Sequence, residues 1–120
     1  MSLRIYAYKN CDTCRRALKW LTAHAVPHHV IPIREQPPTL PELRTMLERV
    51  GDLRKLFNTS GQDYQAMNLK ERLPKLSPDE ALQLLATNGN LVKRPFAISE
   101  TTALVGFQEP AWEQALALKS

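Results

Sequence analysis

The stretch Leu3-Arg4-Ile5-Tyr6-Ala7-Tyr8 alternates in side-chain character and runs almost directly into Cys11-Asp12-Thr13-Cys14, where a helical pattern begins near Arg15. A strand that turns into a helix through a CxxC commits the chain to an α/β start. It also puts two sulfurs at the positive end of a helix dipole, where free backbone N–H groups stabilise a thiolate. Cys11, at the exposed start, is therefore the expected nucleophile near neutral pH. Cys14, one turn in, can attack the resulting mixed disulfide and release the product. Asp12 opposes a second negative charge beside the sulfur, whereas Arg15 and Arg16 favour it. The competing reading makes Cys14 a small helix-face residue with no redox role.

Ala17, Leu18 and Leu21, with Val26 near the end, give an apolar stripe that predicts a helix over 12–25, stopped by Pro27. His28 to Ile33 reads as a second strand, and Pro32 marks it as an edge or a strand end. A β-α-β start favours a parallel pair. After Gln36-Pro37-Pro38 the pattern is helical to about Thr87. Thr39-Leu40-Pro41-Glu42 is a capping box, and Leu40, Leu43, Met46, Leu47 and Val50 follow on one face up to Gly51. A short helical segment, Leu53 to Phe57, ends in the turn Asn58-Thr59-Ser60-Gly61. A second capping box, Ser77-Pro78-Asp79-Glu80, opens a helix that Asn88-Gly89-Asn90 ends. Strands at Phe96–Ser99 and Ala103–Phe107 form a hairpin around Glu100-Thr101-Thr102. Pro110 opens a last helix with Trp112, Leu116 and Leu118. The order β-α-β, helices, β-β-α is a thioredoxin-like α/β layout with a helical insertion over about 38–90, in one domain spanning 1–120.

The 120 residues, 43% hydrophobic and 23% charged, suffice for one cored domain and contain no transmembrane run. Met1-Ser2-Leu3-Arg4 lacks a signal-peptide core, so a cytoplasmic protein is expected. In a reducing compartment, paired cysteines are redox-active or metal-binding rather than a structural staple. The net charge of +4 is scattered, with small clusters at Arg15-Arg16-Lys19 and Lys93-Arg94. No basic run interleaved with aromatics points to nucleic acid, and nothing demands an oligomer, so a monomer is expected. Cys11, Cys14, His24 and His28 give C-x2-C-x9-H-x3-H, whose middle spacer is three residues short of a zinc finger, and Pro27 breaks the helix that should present both histidines. No metal ligands are therefore predicted.

Arg94-Pro95 precedes a strand. Such a pair can hold a cis bond where the backbone passes close to something, although a trans proline at a strand start is the commoner case. Arg94 offers a planar fork for an oxyanion or a carboxylate. Trp20, Phe57 and Trp112 read as packing residues, and the Asn58–Gly61 turn reads equally well as a helix stop alone.

Tyr8-Lys9-Asn10-Cys11-Asp12-Thr13-Cys14-Arg15, Phe57-Asn58-Thr59-Ser60-Gly61, Val92-Lys93-Arg94-Pro95 and Val105-Gly106-Phe107 together resemble the arsenate reductase (ArsC)-like family, in particular its Spx/MgsR-type branch. The resemblance covers essentially the whole chain. It implies that Cys11 is the catalytic cysteine and that Arg94-Pro95 lies opposite it with the proline in cis. Arg94, Pro95, Asn10 and Thr13 are the expected substrate-binding residues. Arsenate reductases of this family surround their cysteine with three arginines. One falls on Arg94 here, but the others fall on Asn58 and near Gly106. Those enzymes also lack the second cysteine, whereas the Spx branch uses its CxxC as a disulfide switch. The leading expectation is thus a thiol–disulfide oxidoreductase with no bound cofactor, using glutathione or glutaredoxin as thiol donor, or a protein disulfide as partner. A redox-switch regulator that binds the RNA polymerase α subunit comes second. Glutaredoxin- or glutathione-dependent arsenate reduction comes third.

Overall fold

A computed structural model describes residues 3–116. Strand β1 (Leu3–Ala7) leads through Cys11 into helix α1 (Asp12–Ala23), and β2 (His28–Pro32) follows. The insertion then supplies α2 (Leu40–Val50), a 3-10 turn (Leu53–Leu56), α3 (Gln62–Ala66), α4 (Leu69–Arg72), a second 3-10 turn (Leu73–Lys75), α5 (Pro78–Thr87) and a third 3-10 turn (Gly89–Leu91). The chain returns through β3 (Phe96–Ile98) and β4 (Ala103–Val105) and enters α6 (Glu109–Ala115). Leu118 lies outside the described residues. The sheet order is β2-β1-β3-β4, with β1 parallel to β2 and the pairs β1–β3 and β3–β4 antiparallel. This is the thioredoxin-like arrangement the element order predicts.

Alternation along the strands builds a core on each face of the sheet. Leu3, Ile5, Ala7 and Ala97 pack with Cys14, Ala17, Trp20 and Leu21 of α1 and Trp112 of α6. Tyr6, Phe96 and Ile98 pack with the helical insertion through Leu43, Met46, Leu82 and Leu85. Both predicted capping boxes form, on Thr39/Glu42 and Ser77/Glu80, and Gly51 closes α2 in the left-handed region at φ 78°. Pro32 is the last residue of an edge strand.

Several boundaries differ from the sequence reading. Helix α1 stops at Ala23, two residues early, because Ala25 turns left-handed (φ 54°) and Val26 N–H bonds back to the Leu21 carbonyl at 2.9 Å. That closure satisfies the last carbonyls before Pro27 is reached. β1, β2 and β3 are each one residue shorter than read, and β4 ends at Val105 because Gly106 takes φ 72°. Asn88-Gly89-Asn90 does follow α5, but Gly89 is not a left-handed cap. A β-carbon there would stand 1.8 Å from the Ile33 carbonyl oxygen, so its glycine serves a close backbone approach.

Glu42 joins the two halves of the fold. It accepts from Arg4 Nε at 2.9 Å and Tyr6 Oη at 2.7 Å on β1, and from the Thr39 N–H at 2.9 Å in its own cap. Burial pushes the Glu42 carboxyl pKa up, but hydrogen bonds from Tyr6, Thr39 and Arg4 outweigh it, and the net result lies below the ordinary glutamate value. A depressed carboxyl contributes stability that is present above its unfolded pKa and lost as pH falls through its folded one. Burial, then the bond to Glu42, holds the Tyr6 hydroxyl protonated above the ordinary tyrosine range, so its contribution is lost on the alkaline side. Glu42→Gln should cost about 1.5–3 kcal/mol at neutral pH, and that deficit should shrink below roughly pH 4. Thermal melts of both proteins from pH 3 to 8 check this; a deficit independent of pH would rule out an ionised Glu42 as the link.

Candidate active site

Cys11 is the N-cap of α1. Its backbone is extended (φ −105°, ψ 117°), and its Sγ accepts the Cys14 N–H at 3.3 Å. Sulfur thus replaces the usual cap oxygen on one of the helix's free donors. Cys11 is half-buried, whereas Cys14 is fully buried against the sheet, and both are free thiols. Burial pushes the Cys14 thiol up to about 12, and the adjacent Cys11 sulfur adds to this, while the Tyr8 backbone and the charge of Arg94 oppose it. At neutral pH, Cys14 is a protonated partner beside an outward-facing sulfur. Alkylation at pH 7 should therefore modify Cys11 first and leave Cys14 untouched until the fold opens. Peptide mapping after brief iodoacetamide treatment reads this, and equal labelling of both cysteines would contradict it.

Cys11 opens onto a cavity of about 270 Å³ lined by Tyr8, Asn10, Thr13, Asn58, Ser60, Lys93 and Arg94. The predicted site residues Asn10, Cys11, Thr13 and Arg94 thus meet at one place, with Cys14 directly behind. The Arg94–Pro95 bond is cis, and Pro95 is buried. Asn58 and Lys93 are brought together by a two-residue antiparallel bridge, Phe57 with Val92. The Asn58 N–H donates to the Leu91 carbonyl at 2.7 Å, and the Lys93 N–H to the Leu56 carbonyl at 2.8 Å. The Asn58–Gly61 turn is therefore more than a helix stop, since it delivers Asn58 and Ser60 to the cavity wall.

Tyr8 and Lys93 are the wall residues that strand patterning alone does not single out. The Tyr8 ring carries two guanidiniums, Arg34 at 4.9 Å and Arg94 at 5.1 Å from its centroid. Its hydroxyl accepts from Arg34 Nη1 at 2.9 Å and Asn10 Nδ2 at 3.2 Å. The bond from Asn10, then the one from Arg34, lowers its pKa below the ordinary tyrosine value. Tyr8 thereby holds Asn10 on one side and Arg94 on the other. Arg94 Nη1 is buried with no hydrogen-bond partner among the described residues. A guanidinium donor left in that condition is costly unless an acceptor arrives.

The charges on α1 are arranged differently from the sequence expectation. Arg15 pairs with Asp12 and donates to the Lys9 carbonyl at 2.9 Å, so it is committed away from the sulfur and offsets Asp12. Lys93, which the sequence marks only as part of a small basic cluster, is a second cation beside the cavity, and its side chain crosses the unsubstituted face of Gly106, 3.5 Å from where a β-carbon would sit. A lysine from another segment thus lies beside Gly106. His24 and His28 each use ring Nδ1 on a local backbone carbonyl, Trp20 at 2.9 Å and Val26 at 2.8 Å. Among the described residues no histidine, cysteine or carboxylate group gathers as metal ligands, and no helix is long and apolar enough to cross a membrane.

The family model that matches is that of the ArsC family, over residues 6–115. Among curated proteins the chain is 48% identical over 115 residues to the uncharacterised protein YusI of Bacillus subtilis, covering 95% of this chain and 98% of YusI. It is 31% identical over 108 residues to the global transcriptional regulator Spx of Enterococcus faecalis, covering 89% of this chain and 80% of Spx. Among solved structures, an ArsC family related protein from Bacteroides fragilis superposes with a TM-score of 0.90 at 38% identity, covering 96% of this chain and 98% of that one. With its thioredoxin-like fold and its kinship to Spx and MgsR proteins, the chain belongs to the ArsC family.

Proposed function

We propose that this protein is a thiol–disulfide oxidoreductase whose working couple is Cys11 and Cys14. The observation that carries the reading is the pairing of a half-exposed, helix-capping Cys11 sulfur with a buried thiol one turn behind it. The Cys11 thiolate attacks a substrate disulfide, forms a mixed disulfide and expels the other half as a thiolate. Cys14 then loses its proton and attacks Cys11 Sγ, which closes the Cys11–Cys14 disulfide and releases the second substrate thiolate. Two electrons pass from the pair to the substrate. An external thiol, for which glutathione or glutaredoxin is the natural donor, returns them. The first step removes the Cys11 charge, and with it one of the influences holding the Cys14 proton in place, so resolution becomes easier once the adduct exists. The unpaired Arg94 donor and Lys93 suit a carboxylate on the arriving group.

A second reading, a redox-switch regulator that contacts the RNA polymerase α subunit, is favoured by the 31% identity to Spx. Arsenate reduction ranks third. Asn58 and Gly106 stand where that chemistry's other two arginines fall, and a second cysteine is present. The reduction potential of the pair, titrated against glutathione buffers, tests the oxidoreductase reading. A catalytic couple should lie near the cytosolic poise, about −220 to −320 mV. A potential far below that range would describe a locked disulfide and would sink the proposal.

A further inference from the structure

β4 is an edge strand, and its register fixes which of its backbone groups are free. Gly106 N–H bonds to the Pro95 carbonyl at 2.9 Å and Ser99 N–H to the Thr102 carbonyl at 2.8 Å. Antiparallel pairs alternate, so Leu104 is bonded to β3, while the N–H and C=O of Ala103 and Val105 point away from the sheet. Those groups have no backbone partner among the described residues. Beside this edge runs a groove of about 690 Å³ that Ala103 and Val105 line. Arg16 of α1, Arg54 and Lys55 of the first 3-10 turn, and Lys93 line it too, and among the described residues no carboxylate does. Thr13 and Lys93 line both this groove and the Cys11 cavity, so the two adjoin there.

We propose that the β4 edge and its basic groove receive an extended, acidic segment of the protein whose disulfide Cys11 attacks. This rests on the oxidoreductase reading above and supplies its substrate class. The segment adds a fifth strand by pairing with Ala103 and Val105, as edge-strand recognition does elsewhere. Its carboxylates meet Arg16, Arg54 and Lys55, and its disulfide reaches Cys11 past Thr13 and Lys93. Charge selects this occupant over a second copy of the chain. Two such edges laid together would oppose arginine and lysine side chains of the same sign, a device that keeps edge strands from pairing with themselves.

The test uses the full chain and a cysteine-free, fluorescein-labelled peptide of about eight residues in which glutamate alternates with threonine. A lysine-for-glutamate version and a single-stranded oligonucleotide of equal charge serve as comparisons. The acidic peptide should bind about tenfold or more tightly than the lysine peptide at low salt, and Arg54→Glu combined with Lys55→Glu should weaken it by a similar factor. Both substituted residues are exposed, so the fold is not at stake. In amide hydrogen exchange, Ala103 and Val105 should exchange fast in the free protein and slow about tenfold or more with peptide, whereas Leu104 should be slow throughout.

No binding, equal binding of the oligonucleotide, or binding without slowing at Ala103 and Val105 overturns the proposal. Slowing with protein concentration alone would assign the edge to a second copy and also overturn it. Release of pyridine-2-thione from 2,2′-dithiodipyridine reads Cys11 chemistry separately. Reaction without peptide binding removes the docking surface and leaves the oxidoreductase, and binding without reaction does the reverse.

Discussion

Cys11→Ser is expected to lower the rate of disulfide reduction to roughly one thousandth of wild type or less, with the fold intact. A serine hydroxyl can still cap α1, since serine is a favoured N-cap residue, so the helix keeps its first turn. What is lost is the one sulfur that, among the described residues, faces the cavity. Cys14 cannot substitute, because it is fully buried and burial holds its proton. Replacing Cys14 should give a different result. Cys14→Ala preserves a small apolar residue in the core, whereas serine would bury a hydroxyl at a cost of about 1–3 kcal/mol. Cys14→Ala should still attack a disulfide through Cys11 but stall as a mixed disulfide, visible as a mass increase under non-reducing conditions. Loss of activity in Cys14→Ala with no trapped adduct would contradict the order of the two steps. Retained turnover in Cys11→Ser would remove the oxidoreductase reading altogether.

The start of the site is legible in sequence because its signals are local. A strand period of two, a CxxC and a helix period of 3.6 follow one another within about twenty residues, and each element they predict forms. Both capping boxes are legible for the same reason, since a cap is a contact across three residues. The far wall of the cavity is different. Asn58 and Lys93 stand 35 residues apart and meet only because Phe57 bridges to Val92. No period marks a two-residue bridge. Tyr8 looks like one more alternating strand residue until Arg34 and Arg94 are seen stacked on it. Its role depends on two loops whose meeting is a property of the fold. The stretch 62–76 carries a helical character but breaks into α3, α4 and a 3-10 turn. Asn68 turns left-handed (φ 54°) between α3 and α4, and Pro74 lies within the 3-10 turn, so no single periodic stripe survives.

Gly89 sharpens that contrast, and Gly89→Ala is the substitution outside the cysteines with the largest expected effect. In sequence, Asn88-Gly89-Asn90 is an ordinary helix stop. In the fold, the new methyl would lie 1.8 Å from the Ile33 carbonyl oxygen, 2.7 Å from its carbonyl carbon and 3.1 Å from Arg34 Cα. All three are backbone atoms, so no rotamer change relieves the clash. Ile33 is itself tied to β1 by its N–H bond to the Ala7 carbonyl at 3.1 Å. Either β2's exit or the segment leading to Arg94 must move. Overpacking of this kind costs about 3 kcal/mol, which for a chain of this length is a fall in Tm of roughly 10 °C. Gly51→Ala provides the comparison: its β-carbon meets nothing within 4 Å, so it should lose only the left-handed preference, about 1 kcal/mol. The displacement should also reach the chemistry. Gly89–Leu91 leads straight into Lys93 and Arg94, while Ile33 leads into Arg34, and both arginines rest on Tyr8. Gly89→Ala should therefore slow disulfide reduction at temperatures where it is still folded. A melting point within a degree or two of wild type would show that the close approach is not what holds this loop.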